Sequence, residues 1–251
     1  MALDKLHSDD AESIMEESSL ARSVIYKFFS YAYRYPDEAN IKCLDGLWEG
    51  MDSAVSVFKS LAPLLQRLKE HFDISLSPKI EDEYVVLFGH TAQGSCPPFE
   101  LEYGDGGNDI KKPHELSDIS AFYRAAGLKL SGRAKERVDF VAIEMEFMNF
   151  LCFKQSFAEE KNDSGLVDSC NVLQAKFLKD HLARWMPAFT RRVMECSKEF
   201  YGNLAQLTLQ FVLDECAKLK VESGSSELMV CVQTELPEAC NDCSLTSKGM
   251  N

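Results

Sequence analysis

No run of about 18 apolar residues occurs anywhere in this chain, so nothing in it reads as a membrane-spanning helix. The first residues, Met1-Ala2-Leu3-Asp4-Lys5-Leu6, have no basic stretch followed by an apolar one. That excludes a secretory signal peptide and makes the cytoplasm the expected location. Basic residues are scarce: 27 Lys and Arg stand against 40 Asp and Glu, a net charge of −13. Nucleic-acid binding needs the opposite balance, because phosphates must be neutralised. An acidic surface suits a basic partner drawn in by the field, or serves solubility alone. Catalytic patterns are missing too. His7, His71, His90, His114 and His181 form no His-x-x-x-His or His-Glu-x-x-His motif, and there is no Gly-x-Ser-x-Gly. Gly104-Asp105-Gly106-Gly107 follows no strand and precedes no Lys-Ser/Thr pair, which speaks against a phosphate loop. Neither enzymatic activity nor a resident cofactor is expected.

Cysteine is not scarce, but its nine copies do not form a disulfide framework. Cys43, Cys152, Cys170, Cys196 and Cys216 fall within apolar or helical patterns, where a free thiol behaves as a small hydrophobe. Cys231 and the Cys240-Asn241-Asp242-Cys243 pair are different. A Cys-x-x-Cys spacing brings both sulfurs to one metal ion or lets them cycle as a dithiol. These three thiols lack a fourth ligand, which a distant cysteine, a second chain or solvent would have to supply. An incidental, unoccupied pair fits the same residues.

Sustained apolar-polar alternation with hairpin turns is absent, so no sheet is expected. Helical spacing is present almost throughout. Leu20, Val24, Tyr26, Phe28, Phe29, Ala32 and Tyr33 predict a helix that ends at Tyr35-Pro36. Ala54 to Phe72 predicts a helix broken or kinked at Pro63, and Lys79 to Phe88 another. His114 to Ala126 is helical, with Gly127 as its stop. From about Lys135 to Phe157 apolar side chains point all round, which predicts the central buried helix. Glu144 falls on an apolar side of it and needs a partner, expected to be an Arg or Lys from a neighbouring helix. Two more helical spans cover Leu166 to Trp185 and Pro187 to Leu219, the second long enough to bend or break near Tyr201-Gly202-Asn203.

The resulting expectation is a single all-α domain of about nine or ten helices. A polar segment occupies residues 1–17, the helical domain 18–221 and a loose cysteine-containing tail 222–251. The glycine- and proline-rich stretch Thr91 to Pro113 is the longest irregular one and a candidate hinge.

The most informative residues lie around that stretch. Tyr84, Leu87 and Phe88 make one apolar stripe of a helix, followed by Cys96-Pro97-Pro98-Phe99-Glu100 and later by Glu136-Arg137-Val138-Asp139-Phe140. The order Tyr84-x-x-Leu87-Phe88, Pro97-Pro98-Phe99-Glu100-x-x-Tyr103, Phe122-Tyr123-x-x-x-Gly127-Leu128 and Glu136-x-x-Asp139 resembles the TorD/DmsD/NarJ family of redox-enzyme maturation chaperones. The resemblance spans roughly Ser18 to Lys220. It implies a TorD-like all-α, non-enzymatic protein that binds the twin-arginine signal peptide or apoprotein of a molybdenum enzyme until cofactor is inserted. One signature departs from the family: Arg137 stands where it has proline and Phe140 where it has histidine.

A twin-arginine peptide has a basic end and an apolar stretch, so its receptor needs carboxylates beside an apolar trough. The candidate peptide-binding set is Tyr84, Leu87, Phe88, Pro97, Pro98, Phe99, Glu100, Glu136, Asp139 and Phe140. The same stripe also reads as ordinary core, and the two prolines as an ordinary turn. The implied partner is an immature molybdoenzyme catalytic subunit or its amino-terminal signal peptide, held by a monomer or homodimer. A metal- or redox-responsive protein working through Cys231, Cys240 and Cys243, and a helical scaffold, are the readings from other classes.

Overall fold

The structure, a computed structural model, describes residues 19–89, 94–104, 112–128 and 136–230. Among them the regular elements are helices, with two isolated bridges, Phe99 to Phe140 and Tyr103 to Val230. The all-α expectation therefore holds. None of the described helices is long and apolar enough to cross a membrane.

Helix α1 (19–32) buries Tyr26, Phe28, Phe29 and Ala32 as the spacing predicts, together with Ile25, while Leu20 stays exposed. After Pro36, the Asp37 side chain accepts a hydrogen bond from the Asn40 N–H at 2.8 Å and opens α2 (Glu38–Asp45). Helix α3 (Trp48–Ser56) and α4 (Ala62–Glu70) follow. The expected break near Pro63 falls a few residues earlier. Proline's ring opposes the carbonyl four residues back, so the chain leaves helix after Ser56 and restarts with Pro63 in the first turn, where its missing N–H costs nothing. Helix α5 (Ser77–Phe88) and α6 (Lys112–Ala125) flank the glycine-rich stretch, and α6 stops at Gly127, whose φ of 85° suits a residue without a Cβ.

Helix α7 (Val141–Glu160) is the buried central one, with Val141, Ala142, Met145, Met148 and Cys152 excluded from solvent. It starts later than about Lys135, because Phe140 is held extended at φ −75° and ψ 131° by its bridge to Phe99. Helix α8 (Ser164–Phe177) passes through a π turn, Leu178–Leu182, into α9 (Ala183–Cys196). The link to α10 (Phe200–Leu219) is short, so α9 and α10 pack antiparallel. That break was expected at Tyr201-Gly202-Asn203 and lies at Ser197–Glu199. Gly202 instead sits in the first turn of α10, where a Cβ would lie 2.2 Å from Ser197 O. Glu83 completes this corner, accepting from Ser197 Oγ at 2.6 Å and from Tyr201 N at 3.0 Å.

One polar network knits four helices. The Arg22 guanidinium of α1 meets both oxygens of Glu215 on α10, at 2.7 and 2.6 Å, and Gln174 of α8 at 2.6 Å. Gln174 donates to Gln155 of α7 at 2.8 Å, and Tyr26 donates to Glu215 at 3.0 Å. Both charges are excluded from water, so each depends on the other.

Two sequence expectations about irregular segments change. The part of the glycine-rich stretch that is described, 94–104, is packed: Cys96, Leu101 and Tyr103 are buried and Glu100–Glu102 form a 3-10 turn. The first nine residues of the expected loose tail are docked as a strap. Gly224 N donates to Ala183 O at 2.9 Å, Gly104 N donates to Met229 O at 3.1 Å, and Val230 bridges to Tyr103. A Cβ on Gly224 would lie 2.0 Å from Arg184 O, so this crossing over α9 accepts only glycine without a shift. Arg191 holds the middle of the strap by an ion pair with Glu227.

Candidate functional site

The two motifs that stood apart in sequence meet as short extended segments. Glu100 N donates to Asp139 O and Val141 N to Pro98 O, each at 3.0 Å, and the Phe99 and Phe140 rings pack with centroids 5.5 Å apart. Phe140 thus supplies apolar packing where the resembled family has histidine. Tyr123 of α6 closes the corner by donating to Val138 O at 2.8 Å.

Behind this junction lie four carboxyls, Glu100, Glu102, Asp139 and Glu144, each at most 3% exposed. A buried carboxylate must be paired, hydrogen-bonded or neutralised, and all three solutions occur here. Arg137 grips Asp139 with both arms of its guanidinium, at 2.9 and 2.7 Å, and reaches Glu102 at 2.9 Å. The same guanidinium lies 4.5 Å from the Phe99 ring centroid, a cation-π contact that fixes its plane. Arg137 is therefore the internal partner of the motif's own acid.

Glu100 is held from α9 and from the π turn before it. Arg184 donates to it at 3.1 and 2.6 Å, and His181 Nδ1 lies 3.2 Å from its second oxygen. His181 is itself clamped between Phe122 and Phe177, with Nε2 3.4 Å from Asp118 at the surface. Arg137 and Arg184 keep 35% and 36% of their side chains exposed, so two guanidiniums cap a buried acidic cluster at its rim.

Glu144 finds neither an Arg nor a Lys, contrary to the sequence expectation. Its Oε2 accepts from the Trp185 indole at 3.1 Å, and its carboxyl lies against Glu100. Burial, and after it the Glu100 charge, hold Glu144 well above the ordinary carboxylate range, so it solves its burial by keeping its proton. Burial also raises Asp139, against the pull of Arg137.

The predicted residues therefore divide. Pro97, Pro98, Phe99, Glu100, Asp139 and Phe140 assemble at one junction, with Phe99 partly exposed and the others buried. Glu136 is exposed at its edge. Tyr84, Leu87 and Phe88 are not a trough: they are core, with Tyr84 packed on Tyr35 and Tyr201 and Phe88 on Phe189 and Tyr201. Their aromatic neighbours come from distant parts of the chain, so the stripe finds enough partners to be buried. Cys231, Cys240 and Cys243 lie outside the described residues. Sequence reading missed His181, Arg184 and Trp185. They fall at i, i+3 and i+4 on one turn running into α9, a spacing that was legible, but nothing local tied that turn to Glu100.

A model of the family described as nitrate reductase delta subunit matches residues 55–191, which include both halves of this junction. The perchlorate reductase assembly chaperone protein of Dechloromonas aromatica (strain RCB) is 26% identical over 212 residues, covering 80% of this chain and 92% of that protein. The chaperone protein TorD of Vibrio cholerae serotype O1 is 27% identical over 155 residues, 61% of this chain and 67% of that protein. The selenate reductase assembly chaperone protein of Thauera selenatis is 28% identical over 114 residues, 45% of this chain and 57% of that protein.

Proposed function

This chain belongs to the nitrate reductase delta subunit family, the TorD/NarJ group of maturation chaperones, and from that premise we propose that it holds the immature catalytic subunit of a molybdopterin-containing oxidoreductase while cofactor is inserted. The relatives named above are chaperones, two of them named for the assembly of a reductase, and the role is one of binding and release without catalysis. Its place of action is the cytoplasm, where such subunits are folded and loaded before export or assembly.

One observation carries the binding mechanism: a buried acidic cluster whose two neutralising guanidiniums, Arg137 and Arg184, stand at the surface. A client segment with paired arginines presents the same group. Exposed Glu136 and Asp118 draw it in, Phe99 offers an aromatic face, and Asp139 and Glu100 are the carboxylates for which client and internal arginines compete. Pro97, Pro98 and Phe140 shape the junction from behind. Tyr84, Leu87 and Phe88 fix α5 in the core without touching the peptide. A client that is exported would present its signal peptide; one that is not would present another basic segment of its apoprotein.

The test is capture of the tagged full-length protein from its native cytosol under anaerobic conditions, with mass spectrometry of whatever co-purifies. The expected catch is a cofactor-free molybdoenzyme subunit with its amino-terminal peptide intact. Recovery of mature, cofactor-loaded enzyme alone would replace the chaperone reading with that of a scaffold.

A further inference from the structure

The outer face of α7 carries apolar surface that the described residues leave uncovered. Phe153 and Phe157 are 56% and 53% exposed, the largest apolar side chains so exposed among those residues. Half-buried Phe150 continues the stripe, since 150, 153 and 157 fall at i, i+3 and i+7. Helix α1 runs alongside, joined by Ser19 Oγ donating to Glu159 at 3.0 Å and Ser23 Oγ to Asn149 at 3.3 Å. In sequence, Leu20, 48% exposed, falls between those two serines, and Phe153 and Phe157 fall between their two partners. All three therefore stand on the same stretch of the α1–α7 pair, as an exposed docking surface requires.

The rim of this patch is basic in a protein whose net charge is −13. Lys161 Nζ lies 5.5 Å from the Phe157 ring centroid and Lys154 Nζ 5.9 Å from that of Phe150, and Lys27 is exposed on α1 two turns after Leu20. The acids of this face are occupied: Glu146 pairs with Arg34 at 2.8 Å and Glu160 with Lys161 at 3.4 Å.

We propose that this face is the docking site of the chain's own amino-terminal segment. Residues 1–18 lie outside the described residues and join α1 at Ser19, the residue bonded to Glu159. They hold six acids, Asp4, Asp9, Asp10, Glu12, Glu16 and Glu17, against one lysine, the complement of the basic rim. Ala11, Ile14 and Met15 fall at i, i+3 and i+4, an apolar stripe able to lie along the phenylalanines as a helix lies in a groove. Five residues of extended chain reach about 17 Å, more than the ~10–12 Å width of a helix, so Ile14 can cross from the start of α1 to the outer side of α7. The tether holds the segment at an effective concentration on the order of millimolar, so weak contacts suffice. Other occupants fit worse. Residues 129–135 carry Lys129, Arg133 and Lys135, which the lysines of the rim repel. The carboxyl-terminal residues leave from Val230 at Tyr103, on the side of the junction, and the junction meets α7 at Val141, about 24 Å along the axis from Phe157. A second copy would bring lysines against lysines and the same net charge of −13. Such docking stands whether or not the protein is a chaperone.

Hydrogen exchange on the full-length protein tests the docking. Amides of residues 10–18 are expected to exchange roughly tenfold more slowly in the wild type than in a Phe153→Ser/Phe157→Ser variant. Both substitutions fall on exposed positions and keep the fold. Val172→Ser, on an exposed position of α8, is expected to change nothing there. Carbodiimide is expected to join Lys154 or Lys161 to an acid of residues 9–17, and in an equal mixture of isotopically light and heavy protein each bond is expected to lie within one chain. Fast exchange of residues 10–18 in the wild type, protection that survives in the double variant, or bonds linking light to heavy chains would each overturn the proposal, the last by giving the face to a second copy.

Discussion

Pro187 and Gly224 are linked through one carbonyl oxygen. Pro187 lies inside α9 and has no N–H, so it cannot donate to Ala183 O four residues back, and the Gly224 N–H donates there instead at 2.9 Å. The fault that proline makes in the helix is therefore the docking point of the strap. That strap runs on to Tyr103, just beyond the Glu100–Glu102 turn that carries two of the buried acids.

Gly224→Ala tests this link. The added methyl would lie 2.0 Å from Arg184 O, so the strap must shift and lose its bond to Ala183. A loss of about 1–3 kcal/mol in stability is expected, the usual cost of overpacking. Hydrogen exchange is the discriminating measurement: the Gly104 amide, which donates to Met229 O, should lose protection along with residue 224. Undiminished protection at Gly104 would mean that the strap is held from its far end alone.

Glu144 predicts a pH dependence. Its folded-state pKa is raised, by burial and then by Glu100, so the folded protein binds a proton that the unfolded chain releases. The sign follows: this contribution to stability is intact below the ordinary carboxylate value, about 4.3, and is lost progressively as pH rises from there toward the folded-state value. Glu144→Gln, which keeps an acceptor for the Trp185 indole, should flatten the decline of the unfolding midpoint with rising pH. Parallel midpoint curves for variant and wild type would assign the proton elsewhere.

Arg22 and Glu215 form the most deeply buried ion pair described here, and removing one partner strands the other. Arg22→Met should cost about 3–5 kcal/mol, read as the shift in urea midpoint at constant slope. Replacing Glu215 by Met as well should recover much of that loss, because no uncompensated charge remains. A double variant less stable than Arg22→Met would show that Gln174 and Tyr26 need the carboxylate more than the arginine does.

Glu136 is the exposed acid of the proposed peptide edge. Glu136→Ala should leave stability within about 0.5 kcal/mol, as surface changes usually do. Affinity for a peptide carrying an arginine pair should fall by up to about fivefold at low salt, and the salt dependence should flatten. Unchanged affinity at low salt would take Glu136 out of the edge.

The helical architecture was legible because its signals are local. Apolar spacing located α1, α5 and α6, Gly127 stopped α6 as expected, and side chains pointing apolar in every direction marked α7 as the central helix. Where helix ends were misplaced, a tertiary contact intervened: Phe140 stays extended to pair with Phe99, delaying α7, and Glu83 caps the start of α10 from a distant helix. The strap escaped notice for a similar reason. Ser223-Gly224-Ser225-Ser226 has the composition of a linker, and only the free carbonyl at Ala183 gives it a place to bind.

What the sequence determined by itself is the class of fold, the order of the helices and the two motifs through which the chain resembles its family, because periodicity, capping and residue order are properties of neighbours along the chain. What only the tertiary structure decided is the state of the charges. Asp139 and Glu100 read as free acids beside an apolar stripe, yet both are buried, one gripped by Arg137 and the other by Arg184 from 84 residues away, while Tyr84, Leu87 and Phe88 sink into the core. Burial and ion pairing depend on which distant surfaces meet. A carboxylate's availability is therefore set by its position in the folded protein, and the motif that contains it does not specify it.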